Sequence, residues 1–570
     1  MRTTTRGLVA LACVALGCGF AGGCIRMKPG EGQVATAPVT TPTLAAAAPA
    51  PTVAPPRAPA PSVRGDRQIN HVLSRLTYGA RPGDPERVRA IGVSAWIDRQ
   101  LRPRTIDDAA TERALAELTT LQMPITALLR EYPRPDAKLR AQLASGEMSR
   151  QEMMERYPVE KRPVRIADEL RAAKVVRAMT SERQLEEVMV EFWFNHFNVF
   201  AGKGDVRWYV SAYEREAIRP YALAKFPDLV RATAYHPAML FYLDNWLSAR
   251  PDFRVPAGPN RGRRGGLNEN YARELMELHT LGVDGGYTQK DVTEVARAFT
   301  GWTIDRPQTD GHFVFRPIMH DTGEKIVLGQ RIPAGGGRED GERVIEILTR
   351  HPATARFIAT KLVRRFVSDT PPPALVARVA GSYLSTGGDI PAMLRTIFES
   401  PEFWSEDAYR AKIKKPFEFV ASAVRALGGT TDAQGAMALA RASAEIGEPL
   451  YQAQPPTGYA DRADVWVNAG ALLARMNFAL GLVSGRYPRV SVELAPLVAG
   501  ADPRSPAAVL DRLLGVIVAD QAAPETRAVL MAQLTDPQIT RLSPDDRGAA
   551  NTDVAKLAAL VIGSPDFQRR

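Results

Sequence analysis

Residues 267–282 read LNENYARELMELHTLG, a stretch in which apolar side chains recur every three or four positions. This spacing predicts an amphipathic helix, with Asn268 as its N-terminal cap and Gly282 after its last turn. The same spacing recurs, in chain order, over 107–123, 165–180, 182–199, 289–299, 342–350, 352–367, 391–400, 507–519, 523–534 and 552–563. The clearest strand patterns, at 311–316 and 325–329, predict one hairpin. The sequence therefore predicts a mainly α fold, with a multi-helix globular body and one small β-hairpin.

The polar face of this first helix carries two carboxylates and an amide. At about 100° per residue, Asn270, Glu274 and Glu277 fall within about 60° of one another. Such a cluster suits general acid/base chemistry or cation binding. The alternative is a solvated face neutralised by Arg273 or Arg297. We predict Glu274 and Glu277 as catalytic residues, with Asn270 and Arg273 binding the substrate.

Two features follow the acidic helix. Trp302 comes directly after the next predicted helix, and an aromatic ring beside clustered acids suits a sugar-binding cleft. The core is the commoner place for a tryptophan, so that alternative stays open. His320 and Asp321 lie in the loop between the two predicted strands, and we predict them as further catalytic residues. The alternative is that Asp-Thr-Gly at 321–323 is ordinary turn chemistry.

The helix predicted over 182–199 presents a second polar side, which includes Glu191 and Asn195, with His196 on its other side. Asn195 is a predicted substrate-binding residue. The sequence leaves the cofactor open; for a divalent metal, the candidate ligands are His196 and Glu191. For His196 the alternative is a hydrogen-bonded core histidine.

The three cysteines of the chain, Cys13, Cys18 and Cys24, all fall within its first 24 residues. Basic residues precede an apolar run over 7–20, as in an export signal. We therefore predict a lipoprotein signal peptide over 1–23, with Cys24 as the lipid-modified N-terminus. Cleavage before Cys18 and an ordinary secretory signal are the alternatives. The run is too short for a transmembrane helix, so the protein is expected to be tethered and not embedded.

Composition divides the rest of the chain. Residues 24–65 are rich in Ala and Pro, cannot offset the entropy of ordering, and are predicted to form a disordered tether. We predict a main helical domain over 66–430, which carries the polar motifs, and a C-terminal helical subdomain over 431–570 packed on it. The net charge is +10, but residues 1–65 account for half of it, so the body is not basic enough to favour nucleic acid as a partner.

Several motifs are similar to those of the bacterial domain of unknown function family 1800. They are, in order, HVLSRLTYG at 71–79, FWFNHF at 192–197, the block 268–302, HDTGEK at 320–325, KPFEF at 415–419, the segment 454–468 and SPDF at 564–567. One departure is Tyr459, where family members often carry tryptophan. The resemblance implies an exported, largely helical protein of no established activity, and it assigns no catalytic residue.

Two functions remain open. The first is a hydrolase or lyase that acts on an envelope glycan through the carboxylate and histidine residues, with a metal assisting. The second is a non-enzymatic envelope assembly factor that binds a glycan or another exported protein. Either protein would be attached to a membrane by its lipid. Arg26, two residues after Cys24, is not the aspartate that retains lipoproteins at the inner membrane, which favours the outer membrane or its periplasmic face.

Overall fold

The computed structural model describes residues 63–255, 261–519, 521–534 and 552–570. The predicted signal peptide, Cys24 and nearly all of the predicted tether lie outside these described residues. Val63 is fully buried, and its backbone N–H donates to the Trp404 carbonyl oxygen at 2.7 Å. The last residues of the predicted tether therefore already contact the globular body.

Helices form most of the described chain, which confirms the mainly α prediction. The α-helices are α1 Asp66–Leu76, α2 Asp84–Ile91, α3 Val93–Gln100, α4 Ala109–Leu115, α5 Ile125–Glu131, α6 Ala137–Ser145, α7 Arg150–Arg156, α8 Val164–Thr180, α9 Gln184–His196, α10 Val206–Tyr213, α11 Phe226–Tyr235, α12 Pro237–Tyr242, α13 Glu269–Glu274, α14 Gln289–Ala298, α15 Glu339–Arg350, α16 Pro352–Phe366, α17 Pro373–Thr386, α18 Ile390–Phe398, α19 Pro416–Ala426, α20 Ala433–Ile446, α21 Ala463–Trp466, α22 Ala469–Val483, α23 Pro506–Ile517, α24 Pro524–Gln533, α25 Val554–Gly563 and α26 Pro565–Gln568. Shorter 3₁₀-helical and π-helical segments lie between them, including one π-helical turn (the π-turn) over Leu275–Thr280.

The strands form three two-stranded antiparallel sheets within the described residues. They are β1 Trp302–Asp305 with β2 His312–Phe315, β3 Lys325–Val327 with β4 Gln330–Ile332, and β5 Thr430–Thr431 with β6 Val490–Ser491. Both segments expected to be strands are strands, but they do not pair with each other. Leu328 and Gly329 have φ of 48° and 74°, the left-handed pair that a tight two-residue hairpin turn requires, so β3 pairs with β4.

Helix α8 lies at the centre of the packing. Neighbouring positions along it, such as Ala172, Ala173, Val175 and Val176, are all buried, so its apolar surface is not confined to one stripe. It packs against α10, α19 and α20. The boundary between the two predicted parts, at 430/431, stays a prediction. No helix in the described part of the chain is both long and apolar enough to cross a bilayer.

Candidate functional site

The predicted acid pair lies where α13 passes into the π-turn. The Asn268 side chain caps α13 by accepting from the Asn270 N–H at 2.8 Å, as the sequence predicted. Glu277 accepts a hydrogen bond from the Tyr287 hydroxyl at 2.8 Å. Glu274 is half-buried, and its carboxylate forms no hydrogen bond or ion pair with any described residue. Partial burial, and then the nearby Glu277 carboxylate, raise the pKa of Glu274. The structure therefore brings the two acids together in unlike environments.

The two predicted substrate-binding residues on α13 lie at its surface. The Arg273 guanidinium donates to the Gln289 side chain at 2.9 Å and lies 3.5 Å from the Glu269 carboxylate. Asn270 is exposed. Arg273 is thus directed mainly toward α14, and it does not form an ion pair with Glu274.

Trp302 is fully buried at the start of β1. Its ring packs against Tyr235, Phe299 and Phe313, with ring centroids 4.5–5.3 Å apart. Gly341 lies so close that a Cβ there would sit 2.6 Å from the indole ring. No face of this ring is open to a sugar, so Trp302 has the core position that the sequence left as the alternative.

His320 and Asp321 fasten their loop to neighbouring helices. His320 is 1% exposed, and its two ring nitrogens lie 2.8 Å from the Thr300 carbonyl oxygen and 3.2 Å from the Asp340 carboxylate. Lys325 donates to the same Asp340 oxygen at 2.7 Å. The Arg297 guanidinium binds Asp321 at 2.8 and 3.1 Å, and this contact lowers the pKa of Asp321. Both side chains are thus engaged in contacts that hold the loop in place.

Asn195 and Glu191, on α9, contact the C-terminal part of the chain. The Asn195 amide donates to the Tyr459 carbonyl oxygen and accepts from the Tyr459 N–H, each at 2.6 Å. Gly458, with φ +66°, approaches so closely that a Cβ there would lie 2.3 Å from the Asn195 carbonyl oxygen. Burial by itself would raise the pKa of Glu191, but its ion pair with Lys415, together with Arg365 and Lys174, outweighs burial, and the pKa is lowered.

His196 is a buried histidine that holds the end of the π-turn. Its Nε2 lies 3.0 Å from the His279 carbonyl oxygen and must carry the proton to bond there. Its Nδ1 has no hydrogen-bond partner among the described residues. Burial, and then Lys361, hold the pKa of His196 well below its usual range. No three His, Cys, Asp or Glu side chains of the described chain are grouped so as to hold a metal ion.

A cavity of about 720 Å³ opens elsewhere, between α1, α23 and the chain end. This volume is in the range of small-ligand sites. Its lining includes Asn70, Tyr409, Arg410, Lys414, Phe567 and Arg570. None of the residues predicted as a site from the sequence lines it.

Behind this cavity lies a largely buried network of charges in which cations outnumber anions. The cations are Arg75, Lys361, Arg365, Lys412, Lys414, Lys415, Arg475 and Arg570. The anions are Glu191, Asp369, Glu418, Glu448 and Asp461. Several pairs are satisfied, among them Arg365 with Glu418 and Lys415 with Glu191. The three guanidinium nitrogens of Arg570 form no hydrogen bond among the described residues, although its Nε lies 3.3 Å from Glu418.

Lys414 is the cation of this network that borders the cavity and has no anionic partner in the described chain. It is 8% exposed, and its Nζ lies 3.6 Å from the centroid of the Phe567 ring. Burial, and then the nearby Arg410 guanidinium, hold the pKa of Lys414 well below its usual range. Arg410 is itself restrained by an ion pair of 3.0 Å with Asp566. An amine in this state is suited to binding an anion, or to acting as a nucleophile.

Comparison with known proteins gives one match. A family model described as "Protein of unknown function (DUF1800)" matches residues 71–569. The chain belongs to the DUF1800 family. This confirms the resemblance read from the sequence motifs. Neither the search of curated proteins nor that of solved structures found a match for this DUF1800 protein.

The Lys414 cavity of this DUF1800 member was missed by reasoning from the sequence. A signal was present, because Lys412, Lys414 and Lys415 occupy three of four consecutive positions just before Pro416 and α19. A lysine run usually indicates a solvated surface. Here all three side chains are buried, since α9, the loop after α16 and the segment around 461 supply carboxylates for two of them.

Proposed function

We propose that this chain is an exported envelope protein that is held to a membrane by a lipid on Cys24 and binds an anionic ligand in the Lys414 cavity. Of the two functions open from the sequence, this is the binding function. The observation that carries it is the buried amine of Lys414, which borders the cavity and has no carboxylate partner in the described chain. The ligand class that we favour is a carboxylate- or phosphate-bearing envelope glycan, because Tyr409 and Phe567 line the cavity beside the cations.

The electrostatics favour an anion over a neutral ligand. A charged amine buried with no carboxylate in contact is unfavourable, so Lys414 loses its proton more readily than a solvated lysine. A bound carboxylate or phosphate would supply that counter-charge and raise the pKa of Lys414 again. Binding is therefore expected to take up a proton, and the affinity is expected to fall as the pH rises.

Sulfate is a suitable probe because its charge does not change over the neutral range. Lys414→Met keeps most of the length of the side chain and removes its charge, and we expect it to weaken sulfate binding at least tenfold. A charge-assisted hydrogen bond contributes about 1.5–3 kcal/mol, and about 1.4 kcal/mol corresponds to a factor of ten. Calorimetric titration at several pH values measures both the affinity and its pH dependence.

The matched control is Lys290→Met, since Lys290 is exposed at the start of α14 and does not line this cavity. Its sulfate affinity should equal that of the unchanged protein. Equal affinity in Lys414→Met and Lys290→Met, or an affinity that rises with pH, would contradict the proposal.

The membrane attachment is supported by the three cysteines near the N-terminus and by the basic and apolar segments around them. We expect mass spectrometry of the mature N-terminal peptide to find a lipid on Cys24. In Cys24→Ser the protein should leave the membrane fraction. Cys18→Ser is the matched control and should stay with the membrane. A mature N-terminus at any other residue would exclude this attachment.

A second candidate function is a hydrolase or lyase of an envelope glycan, and the Glu274–Glu277 pair favours it. Two neighbouring carboxylates in unlike environments are the usual arrangement for an acid and a base. Glu274, with its raised pKa, would be the proton donor. Glu277, which accepts from Tyr287, would act as the base. His320 and Asp321 are already engaged by Asp340 and Arg297, so this candidate rests on the two glutamates.

A further inference from the structure

The three lysines of the 412–415 segment have unlike surroundings. Lys415 is paired with Glu191 and Glu448, and Lys412 with Asp369 and Asp461. Both ammonium groups thus have carboxylate partners, and Lys415 has its pKa raised by them, whereas burial still lowers the pKa of Lys412. Lys414 lies between them in the sequence and borders the cavity, and its amine forms no hydrogen bond or ion pair with any described residue. The Phe567 ring centroid lies 3.6 Å from that amine.

We propose that Lys414 forms an imine with an aldehyde or ketone group of the anionic ligand, an inference that rests on the proposed anion binding at this cavity. The ligand class is thereby a carbonyl compound that also carries a carboxylate or phosphate. A buried amine with no carboxylate partner is free to react, whereas the amines of Lys412 and Lys415 are engaged.

The surroundings of Lys414 match the chemistry of an amine nucleophile. Only an unprotonated amine attacks a carbonyl carbon, and lysines are activated for this by burial or by neighbouring cations. Both conditions hold here, because Arg410 lines the same cavity and Arg475 donates to the Lys414 carbonyl oxygen at 2.8 Å. Arg570, whose guanidinium forms no hydrogen bond among the described residues, also lines the cavity and supplies positive charge near the acidic group of a ligand.

The step is balanced without any further reactant. The Lys414 nitrogen adds to the carbonyl carbon, and a proton passes from nitrogen to the carbonyl oxygen to give a carbinolamine. Loss of that hydroxyl group together with the second nitrogen proton releases one water and leaves the carbon–nitrogen double bond. No electron is gained or lost, so the imine is reversible unless it is reduced.

Pyridoxal 5′-phosphate is a suitable probe, since it carries an aldehyde and a phosphate. The protein is incubated with it at neutral pH and reduced with borohydride, and the modified lysines are identified by peptide mass spectrometry. We expect Lys414 to be modified at least tenfold faster than the exposed Lys290, and sulfate to slow the modification of Lys414 alone. Modification of Lys414 no faster than that of Lys290 would overturn the proposal.

Pyridoxine 5′-phosphate, which has an alcohol in place of the aldehyde, separates the two proposals. If it binds in a manner that Lys414→Met abolishes while Lys414 is not modified by the aldehyde, the imine is excluded and anion binding stands. If neither compound engages the cavity, both proposals fail. Because the modification of Lys414 is measured on the unchanged protein, the test of the imine does not depend on the folding of any variant.

Discussion

Glu418→Gln is expected to lower the free energy of unfolding by about 3–5 kcal/mol, the usual effect of removing one partner from a buried ion pair. Glu418 is 4% exposed, pairs with Arg365, and lies 3.3 Å from Arg570. It also accepts from the Lys415 backbone N–H at 2.9 Å. Glutamine keeps the shape but leaves these cations without their shared anion. Denaturant unfolding of the variant and the unchanged protein measures the loss.

Because cations outnumber anions in this network, removal of a cation should destabilise the fold less than removal of an anion. Arg475→Met removes one surplus cation, so it should cost clearly less than Glu418→Gln. Glu399→Gln is the matched control: that carboxylate is 68% exposed and has one ion pair, with Arg395, so the change should stay within about 0.5 kcal/mol. An unfolding free energy for Glu418→Gln within that margin of the control would show that the network does not stabilise the fold.

The pH dependence of stability follows from the same carboxylates. Burial by itself would raise the pKa of both Glu418 and Asp461, but the surrounding cations outweigh it and lower both, that of Asp461 to about 2. A group whose pKa is lowered on folding stabilises the fold above its unfolded pKa, near 4 for these residues. That contribution is lost as the pH falls from about 4 toward 2. Glu418→Gln should therefore show a shallower loss of stability in this range.

The helical fold could be predicted because helix periodicity is a local property. The segment predicted over 182–199, for example, contains α9, and 289–299 matches α14 to within a residue. Strand pairing is not local in the same way. It depended on the left-handed backbone of Leu328 and Gly329, and Leu-Gly is not among the residue pairs typical of such a turn.

The same difference between local and long-range contacts separates the two candidate sites. Glu274 and Glu277 are three residues apart on one turn, so their proximity followed from spacing alone, and the structure brings them together. The surroundings of Lys414 could not be predicted, because its neighbours come from residues far apart in the sequence, such as Asn70, Arg475 and Phe567. The burial of Trp302 could not be predicted for the same reason, since it depends on Tyr235 and Phe313, which are not adjacent to it in the sequence.

If the second candidate function holds, Glu274→Gln should lower the turnover of an envelope glycan by about 10²–10⁴-fold, the usual contribution of a general acid or base. Glutamine fills the same space but cannot transfer a proton. The pKa of Glu274 is raised by partial burial and by Glu277, so its acid form persists to higher pH than in a solvated glutamate. The rate should fall as the pH rises through that pKa. The assay is the release of reducing ends from purified envelope glycan.

Asp284→Asn is the matched control, because Asp284 is an exposed acid in the turn after the same helix and has no ion pair in the described chain. It should keep full activity, and the melting temperatures of both variants should equal that of the unchanged protein. Full turnover in Glu274→Gln would remove its role as the acid. No release of reducing ends by the unchanged protein would exclude the hydrolase outright. A lyase that cleaves by β-elimination also leaves a new reducing end, together with an unsaturated sugar, so that result would exclude such a lyase as well and leave the Lys414 cavity as the functional site.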